Sequence, residues 1–589
     1  MKTLPNALPW KRLVKVGKPF WVSESKWTGF LHLGLVLGLL AANAGVAYFI
    51  NRNAGAWMES IQLKKVDDFW YYTAVYGGLI LLATPVQVFY GYFRTRLALV
   101  WRRWLSTSFF AGYFSNQAYL KMTRDKELDN PDQRMAQDVD SFCNSSVGLF
   151  ISIIDAVVNV TMFAGLLWYL SGTLTWTVIG YSALGSIIVI LIGRALVKLT
   201  FNQMKTEADL RFGLAEVRRE AETVALYRGE ALAMAQAKTR LGRVIDTLMS
   251  IMNVNRNIQL FTNAYNMFVP VIPALIMAPL YFKGTAKFGD ITQATMAFQA
   301  VFNGATILIG QFGGITAFTA TINRLGSFLE GLEAAGVERV PVGKRIEVTE
   351  GDEVAFDKVT VTTPDTGRDL IVGLTVGVGK GKSMLVTGPD GSGKSSLLRV
   401  LTGIWTTGSG KLQRPANGEV MFLDKSPYLP PMTLREALCF PTTLNSANDD
   451  DRLQQVLNLV DLGDLPKKSD GFDTEQTWRE TLSPSQQQRL ALARIINLKP
   501  KYVVIDEASA SLEAENEKLL YQLLTTIGAT FVSAGNGNML AKYHTQVLEL
   551  AGDGSWKLYP ASDYQPKTWR SFQNFVPDFL LQDRKNKRG

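Results

Sequence analysis

The sequence predicts a polytopic α-helical membrane domain followed by an α/β domain. Long apolar stretches fall only in the first 325 of the 589 residues, and 47% of the chain is hydrophobic, which is high for a wholly soluble protein. From about residue 350 the chain alternates short β-rich runs with helical patterns, as α/β domains do. The two parts of the chain therefore belong to different structural classes.

Six apolar stretches in the first part are long enough to cross a bilayer as helices. They are residues 28–50, 70–93, 146–170, 174–197, 262–282 and 292–316. Six such runs are too many for the buried core of a soluble domain. The first begins too late and is too long for a cleavable signal peptide. We therefore predict six transmembrane helices.

The distribution of Lys and Arg gives the orientation of these helices. Segments 1–27, 94–144 and 198–261 contain 6, 8 and 10 Lys and Arg residues, respectively. Segments 51–69, 171–173 and 283–291 contain only 3, 0 and 2. The positive-inside rule then places both termini and the two long connections in the cytosol. The net charge of +9 is thus a membrane signal and does not indicate nucleic-acid binding. Two cysteines, Cys143 and Cys439, exclude a disulfide framework.

A phosphate-binding loop lies in "MLVTGPDGSGKSSLLRVLTG" (384–403), between a β-run and a helical pattern. Its glycines allow backbone N–H groups to wrap phosphates at a helix N-terminus, while Lys394 reaches the β- and γ-phosphates and Ser395 supplies an oxygen to Mg²⁺. The residues predicted to bind the nucleotide here are Gly388, Pro389, Asp390, Gly391, Ser392, Gly393, Lys394, Ser395 and Ser396.

A second nucleotide motif is "KYVVIDEASASLE" (501–513), in which an apolar run ends in two acids. A buried strand would deliver Asp506 to the Mg²⁺ and Glu507 to polarise the attacking water as the catalytic residue. The predicted metal ligands are therefore Ser395 and Asp506, and the predicted cofactors are ATP and Mg²⁺.

These motifs divide the chain into five predicted regions. They are a cytosolic N-terminal segment at 1–27, a transmembrane domain with long cytosolic helix extensions at 28–328, a linker at 329–349, a nucleotide-binding domain at 350–560 and a C-terminal tail at 561–589. The extensions rest on the helical pattern of residues 203–257, which has few Gly and no Pro.

Several stretches resemble an ABC half-transporter, a member of the group that contains the SbmA/BacA-type bacterial uptake proteins and the peroxisomal fatty-acyl (subfamily D) transporters. In the membrane part they are "GKPFW" (17–21), "LDNPDQRMAQDV" (128–139) and "LRFGLAEVRREAETVALYRGE" (210–230). In the cassette they are "TGIW" (402–405), "SPYLPPMTLREALCFP" (426–441), "WRETLS" (478–483) and "QQQRLALAR" (486–494). Together they span most of the chain.

The resemblance implies an exporter-type membrane fold, a homodimer with two ATP sites at the cassette interface, and a solute cavity between the membrane domains. With the cassette in the cytosol, we predict a bacterial inner membrane rather than a peroxisome, because the chain starts close to its first helix and shows no long targeting extension. The resemblance also implies that Ser483, Ser485 and Gln486 contact the ATP held by the facing subunit, and that Asn536 contacts the γ-phosphate. The acidic motif of the cytosolic helices falls on Glu220 and Glu222, as coupling residues or, alternatively, as a solvated helix face.

The chain departs from the family pattern at the ATP site. Pro484 and Ser485 replace two signature glycines, and a proline removes one N–H donor. Lys425 stands where a glutamine senses Mg²⁺, and Asn536 stands where a switch histidine contacts the γ-phosphate; no histidine lies within five residues to replace it. Thr363 occupies the place of an adenine-stacking aromatic residue, which relatives of this group also lack. Removing a well-placed polar donor typically slows an enzyme about 10²–10³-fold, which favours slow turnover, whereas the intact Glu507 favours ordinary turnover.

Polar residues within the apolar stretches are candidates for the transport path. Asp155 lies near the middle of the third stretch, where a carboxyl group is costly and faces a cavity or a partner. It lines the path or relays protons, or else it forms a structural pair with Arg194 or a polar side chain. Gln299 and Asn303, one turn apart in the sixth stretch, could line the same cavity or simply bond neighbouring helices.

Three functions are compatible with these features. The first is a transporter that uses ATP hydrolysis to move a bulky, mostly hydrophilic, peptide- or cobalamin-like solute inward, with the partners being a second copy of the chain, the lipid bilayer and the solute. The second is a proton-coupled importer whose cassette binds ATP but hydrolyses it slowly or not at all. The third, a membrane ATP sensor that transports nothing, has no positive support in the sequence.

Overall fold

The computed structural model describes residues 9–123, 130–310, 312–336, 345–364, 366–424, 426–441, 449–506, 514–535 and 540–565. The chain divides into two compact units, Met1–Glu338 and Arg339–Gly589. The first is helical and the second is α/β, which confirms the predicted fold class.

The first unit is built from twelve described helices. They are α1 Trp10–Val22, α2 Lys26–Gln62, α3 Val66–Phe114, α4 Ala118–Thr123, α5 Pro131–Gln133, α6 Val139–Leu170, α7 Gly172–Arg219, α8 Ala221–Leu226, α9 Glu230–Phe268, α10 Val271–Phe282, α11 Phe288–Gly310 and α12 Phe312–Gly336. A π-helical turn, Arg134–Asp138, joins α5 to α6.

Five helical segments of the described residues are long and apolar enough to cross a membrane. They are Lys26–Gln62, Val66–Thr123, Pro131–Leu170, Gly172–Arg219 and Glu230–Phe282. They cover the first five predicted spans, and the sixth falls on α11 and the start of α12. The fifth segment is interrupted between α9 and α10 at Pro270, because proline cannot donate a helical hydrogen bond.

The predicted cytosolic extensions are the far ends of α7 and α9, which pack against each other. The pattern at 203–257 thus forms helix as expected, with one interruption. There α8 connects the two long helices, and Arg228 adopts a left-handed φ of 52° that turns the chain before α9.

The second unit contains twelve strands and seven helices in its described residues. The strands are β1 Glu347–Glu350, β2 Val354–Thr362, β3 Asp369–Val378, β4 Ser383–Thr387, β5 Gly408–Arg414, β6 Val420–Asp424, β7 Met432–Thr433, β8 Glu475–Gln476, β9 Tyr502–Asp506, β10 Thr530–Ala534, β11 Gln546–Leu550 and β12 Trp556–Pro560. The helices are α13 Lys394–Leu401, α14 Leu434–Cys439, α15 Asp450–Leu459, α16 Leu465–Lys468, α17 Trp478–Thr481, α18 Pro484–Leu498 and α19 Ala514–Thr526.

The main sheet of this unit has the strand order β12-β11-β4-β10-β9-β6, in which only β12 is antiparallel. A second sheet, β1-β5-β2-β3, packs its apolar side with α13 around a shared core. The central strands β4, β9 and β10 are buried almost throughout, as parallel strands covered on both faces are. Ligands of such sheets bind beyond the carboxyl ends of the strands.

Candidate functional site

The phosphate-binding loop follows the carboxyl end of β4 and leads into α13. Gly388, Gly391 and Gly393 have φ values of 148°, 77° and 103°, which side chains rarely adopt. A Cβ added to Gly388 would lie 2.3 Å from the carbonyl oxygen of Leu550. The loop therefore needs glycine at this position, and its backbone curls as a phosphate cradle requires.

The side chains of the loop are directed into this cradle. Lys394 is 6% exposed, and its ammonium group donates to the carbonyl oxygens of Gly388 (2.9 Å) and Pro389 (3.2 Å). Its Nζ also lies 3.7 Å from Oδ1 of the exposed Asp390. The hydroxyl of Ser392 is buried without a hydrogen-bond partner among the described residues. The Lys394 ammonium and the Ser392 hydroxyl are donors that fit a bound polyphosphate.

The two predicted metal ligands come together. Ser395 Oγ donates to Asp506 Oδ1 at 3.0 Å, although the residues lie on α13 and β9. Two neighbouring ligands of octahedral Mg²⁺ stand about 3.0 Å apart, because each lies about 2.1 Å from the ion at a right angle. Hydroxyl and carboxylate oxygens are also the ligands that Mg²⁺ prefers. The pair fits this ion. Ser396, next to it, lies in the first turn of α13.

The strand register explains why distant motifs meet here. Val386, Ala534, Asp506 and Asp424 form one row across β4, β10, β9 and β6. Each stands at the carboxyl end of its strand or one residue before it. The predicted residues Glu507, Asn536 and Lys425 follow these ends in sequence, but they lie outside the described residues.

The altered signature forms the start of α18. Ser483 is the N-cap: its Oγ accepts from the backbone N–H of Gln486 (3.3 Å), and the side chain of Gln486 accepts from the N–H of Ser483 (3.0 Å). Pro484 is the first helical residue, where the missing N–H breaks no helical bond. Ser485 follows, half-buried. Ser483 and Gln486 thus cap the helix, and Pro484 is accommodated in its first turn at the cost of one donor.

Two residues of α18 that sequence reasoning missed hold the neighbouring segments. Gln488 Nε2 donates to the carbonyl of Asp424 (2.8 Å) at the end of β6. Arg494, 5% exposed, donates to the carbonyl of Ala437 (2.8 Å), and burial lowers the pKa of its guanidinium to about 10. The run "QQQRLALAR" carried both residues, but a side-chain bond to a distant carbonyl has no sequence signal.

The histidine nearest to Asn536 in sequence, His544, is held inside the cassette by packing and hydrogen bonds. His544 is buried, with Nε2 2.5 Å from Ser533 Oγ and Nδ1 2.7 Å from the carbonyl oxygen of Leu540. Its ring meets Tyr521 and Phe531 edge-on. Burial lowers its pKa to about 4, so the ring is neutral at physiological pH. Both ring nitrogens are engaged within the fold.

The predicted coupling residues lie at the turn between the long helices. Glu220 follows the last residue of α7, and Glu222 lies in the first turn of α8. Both are exposed, and Arg219 Nε approaches Glu220 Oε1 at 3.3 Å. Acidic residues at a helix N-terminus interact favourably with the helix dipole. Glu220 and Glu222 therefore lie in a solvent-exposed turn between the two long helices.

Asp155 lines a cavity of about 420 Å³ among α2, α6 and α11. Its carboxylate accepts a hydrogen bond from Asn159 Nδ2 (2.9 Å) one turn along α6. Asn303 lines the same cavity, as predicted, and accepts from Gln299 (2.8 Å). The predicted alternative partner, the side chain of Arg194, lies outside the described residues. Asn51, from α2, completes the polar lining and had no sequence signal.

Comparison with known proteins agrees with these two units. Residues 19–282 match the family model described as ABC transporter transmembrane region 2, and residues 371–510 match the model described as ABC transporter. An uncharacterized ABC transporter ATP-binding protein of Synechocystis is 36% identical over 553 residues, which cover 92% of this chain and 83% of that protein.

Two further relatives belong to subfamily D. ABC transporter D family member 2, chloroplastic, of Arabidopsis thaliana is 30% identical over 611 residues, covering 92% of this chain and 86% of its own. The lysosomal cobalamin transporter ABCD4 of Homo sapiens is 29% identical over 583 residues, covering 93% and 95%. The cassette therefore supplies ATPase activity coupled to transport, and the chain, with one membrane region and one cassette, belongs to the ABC transporter family as a half-transporter.

Proposed function

We propose that this half-transporter works as a homodimer that uses ATP binding and hydrolysis to take up a bulky, mostly hydrophilic solute across a bacterial inner membrane. The observation that carries the proposal is the 3.0 Å contact between Ser395 Oγ and Asp506 Oδ1 beside the phosphate loop. It joins the two metal-ligating motifs in the geometry that Mg²⁺-ATP chemistry uses. A cassette that binds no nucleotide would not need this pair.

Each residue has a role in this proposal. The loop from Gly388 to Ser396 holds the phosphates, and its ammonium group at Lys394 neutralises them. Ser395 and Asp506 hold Mg²⁺, which balances charge on the phosphates when it is bound. Glu507 orients and polarises the attacking water. Ser483, Ser485 and Gln486 complete the ATP site of the second copy, and Asn536 donates to the γ-phosphate.

The solute class rests on the relatives and on the membrane part. One relative is named as a cobalamin transporter, and the membrane region also resembles the SbmA/BacA-type uptake proteins, which supports a peptide- or cobalamin-like solute. The exposed turn with Glu220 and Glu222 lies at the far end of the long helices, which suits a contact that transmits cassette movement to the membrane helices.

A proton-coupled importer is the second candidate, because Asp155 is half-buried within a membrane-spanning helix and lines a polar cavity. In this case the cassette binds ATP and turns it over slowly or not at all. The altered signature at Pro484 and Ser485 favours slow turnover.

The test is Mg²⁺-ATP hydrolysis by the purified protein in lipid nanodiscs, with Glu507→Gln as the blank and Lys394→Ala as the binding-deficient control. Turnover well above both variants supports the first candidate. Uptake of labelled cobalamin into proteoliposomes is then measured with ATP on the cassette side or with a proton gradient alone. Gradient-driven uptake that survives Lys394→Ala would establish the second candidate instead.

A further inference from the structure

The cavity between α2, α6 and α11 contains a polar cluster that the ATP chemistry does not use. Its polar members are Asn51, Asp155, Asn159 and Asn303. The rest of the lining is apolar, with Ile50, Phe163, Met296 and Ile307 among the larger side chains. All three helices belong to the membrane part, where an unmatched polar group is costly.

One atom of this cluster has an unused bonding capacity. Asn51 is 1% exposed, and its Nδ2 donates to the carbonyl of Gln293 (3.1 Å), which fixes the orientation of the amide. Asn51 is among the residues that line the cavity, and its Oδ1 is buried without a hydrogen-bond partner in the described part of the chain. Such an orphaned acceptor in a native structure points to a donor that arrives from outside the chain.

The remaining polar atoms show which kind of donor fits. The carboxylate of Asp155 accepts a single hydrogen bond within the described residues, from Asn159 Nδ2 to Oδ1 (2.9 Å), which leaves Oδ2 for another donor. Asn303 Oδ1 already accepts from Gln299. The cluster therefore offers a carboxylate oxygen and an amide oxygen from opposite helices, so it is rich in acceptors and carries one negative charge.

The neighbouring guanidinium of Arg94 leaves the preference of the cluster for a cationic donor in place. Arg94, from α3, interacts electrostatically with Asp155, but its guanidinium is held by the hydroxyl of Tyr90 and by the carbonyl of Gly148 (3.4 Å). It is not among the residues that line the cavity. The carboxylate therefore keeps an oxygen for a ligand.

We propose that this cavity binds the protonated amine of an organic solute, with the ammonium group between Asp155 and Asn51. At about 420 Å³ the cavity is much larger than a dehydrated metal ion needs, and its apolar walls fit a hydrocarbon portion beside the charged head. Phe163 adds an aromatic ring, which favours a nearby cation. The inference deepens the proposed transport function by naming a chemical class for part of the solute.

The probe is radiolabelled hexylammonium, equilibrated by dialysis with the full-length protein in zwitterionic nanodiscs, with empty nanodiscs as the blank for partitioning into lipid. We expect saturable binding that hexanol does not compete away. Asp155→Asn, which keeps the shape and the bond from Asn159, should weaken binding at least tenfold. Asn51→Ala should weaken it severalfold. Asn144→Ala, an exposed position on the same helix, should leave it unchanged.

Several outcomes would overturn the proposal. Equal competition by hexanol would mean an apolar cleft only, and full displacement by millimolar Na⁺ would mean an inorganic cation site. Unchanged binding of hexylammonium by Asp155→Asn would also exclude the amine site, provided that the unfolding midpoint of the variant shows that it is folded. ATP hydrolysis is measured on the same nanodiscs: binding without hydrolysis would refute the proposed function alone, and hydrolysis without binding would refute the amine site alone.

Discussion

Arg324 holds the carboxylate of Asp138 with two hydrogen bonds, from Nε to Oδ2 and from Nη2 to Oδ1, each 2.7 Å long. Asp138 is 4% exposed and ends the π-helical turn before α6, whereas Arg324 lies in α12. Arg134, in the same turn, donates to the carbonyl of Arg324 (2.8 Å) and to Ser327 Oγ (3.0 Å). The "NPDQR" stretch thus anchors the first cytosolic connection to the last helix of the membrane unit.

We expect Arg324→Ala to destabilise the membrane unit by about 1–3 kcal/mol, because it leaves a buried carboxylate without its partner. The half-exposed guanidinium keeps the effect below that of a fully buried pair. Arg324→Lys keeps the charge but loses the two-pronged geometry, so its effect should be intermediate. Thermal unfolding in nanodiscs measures the differences.

The matched control is Arg102→Ala, which breaks the pair between Arg102 and Asp140 (2.9 Å). Both side chains of that pair are about 40% exposed, at 42% and 38%. Exposed pairs contribute about 0–1 kcal/mol. Equal losses from Arg102→Ala and Arg324→Ala would show that the Asp138 pair has no special role.

The glycines of the phosphate loop should respond differently to alanine. In Gly388→Ala the new Cβ would stand 2.3 Å from the carbonyl oxygen of Leu550, so the loop must shift and ATP affinity should fall about 100-fold or more. A Cβ at Gly391 meets nothing within 4 Å, and its φ of 77° costs roughly 1–2 kcal/mol. Binding of a fluorescent ATP analogue compares the two, and equal affinities would contradict this account of the loop.

The sequence predicts those parts of the site that depend on spacing within one element or on the order of elements. The phosphate loop needs only a strand, glycines and a helix, and the contact of Ser395 with Asp506 follows from parallel strands that end at one edge. The helical extensions follow from composition, but not the turn at Arg228 that inserts α8 between them.

Other features depend on tertiary packing and could not be predicted. Gln488 and Arg494 bond to carbonyl groups whose position is set by the path of a distant segment. Asn51 is an ordinary amide in an apolar stretch until its burial and its unpartnered Oδ1 are known. Pro484 suggested only a lost donor, because its favourable place at the first turn of α18 required the helix boundary.

Replacing Pro484 should speed ATP hydrolysis. Pro484→Gly and Pro484→Ala both restore an N–H group at the start of α18, and we expect kcat to rise in both variants, by no more than the about 10²–10³-fold that one well-placed donor typically contributes. If only Pro484→Gly raises kcat, the hydrolysis rate is limited by how closely the backbone approaches the ATP, and the missing N–H group is not the cause. Unchanged rates in both variants would remove Pro484 as the cause of slow turnover. Steady-state hydrolysis is measured against Glu507→Gln.

His544 should make the stability of the cassette depend on pH. Burial lowers the pKa of the folded ring to about 4, below the unfolded value of about 6.5, so the unfolded chain binds more protons between these pH values. The stabilising contribution is therefore complete above pH 6.5 and declines as the pH falls towards 4. Between pH 7.5 and 5.5 the free energy of unfolding should drop by about 1.3 kcal/mol from this group.

The chain has only two histidines, so this dependence can be assigned by substitution. His544→Gln removes the titrating ring, and the unfolding midpoint of the cassette should then change little between pH 7.5 and 5.5, although lost packing lowers it at both. His32→Gln, in the membrane unit, should leave the cassette's pH dependence as it is. A dependence that persists in His544→Gln would place the titrating group elsewhere.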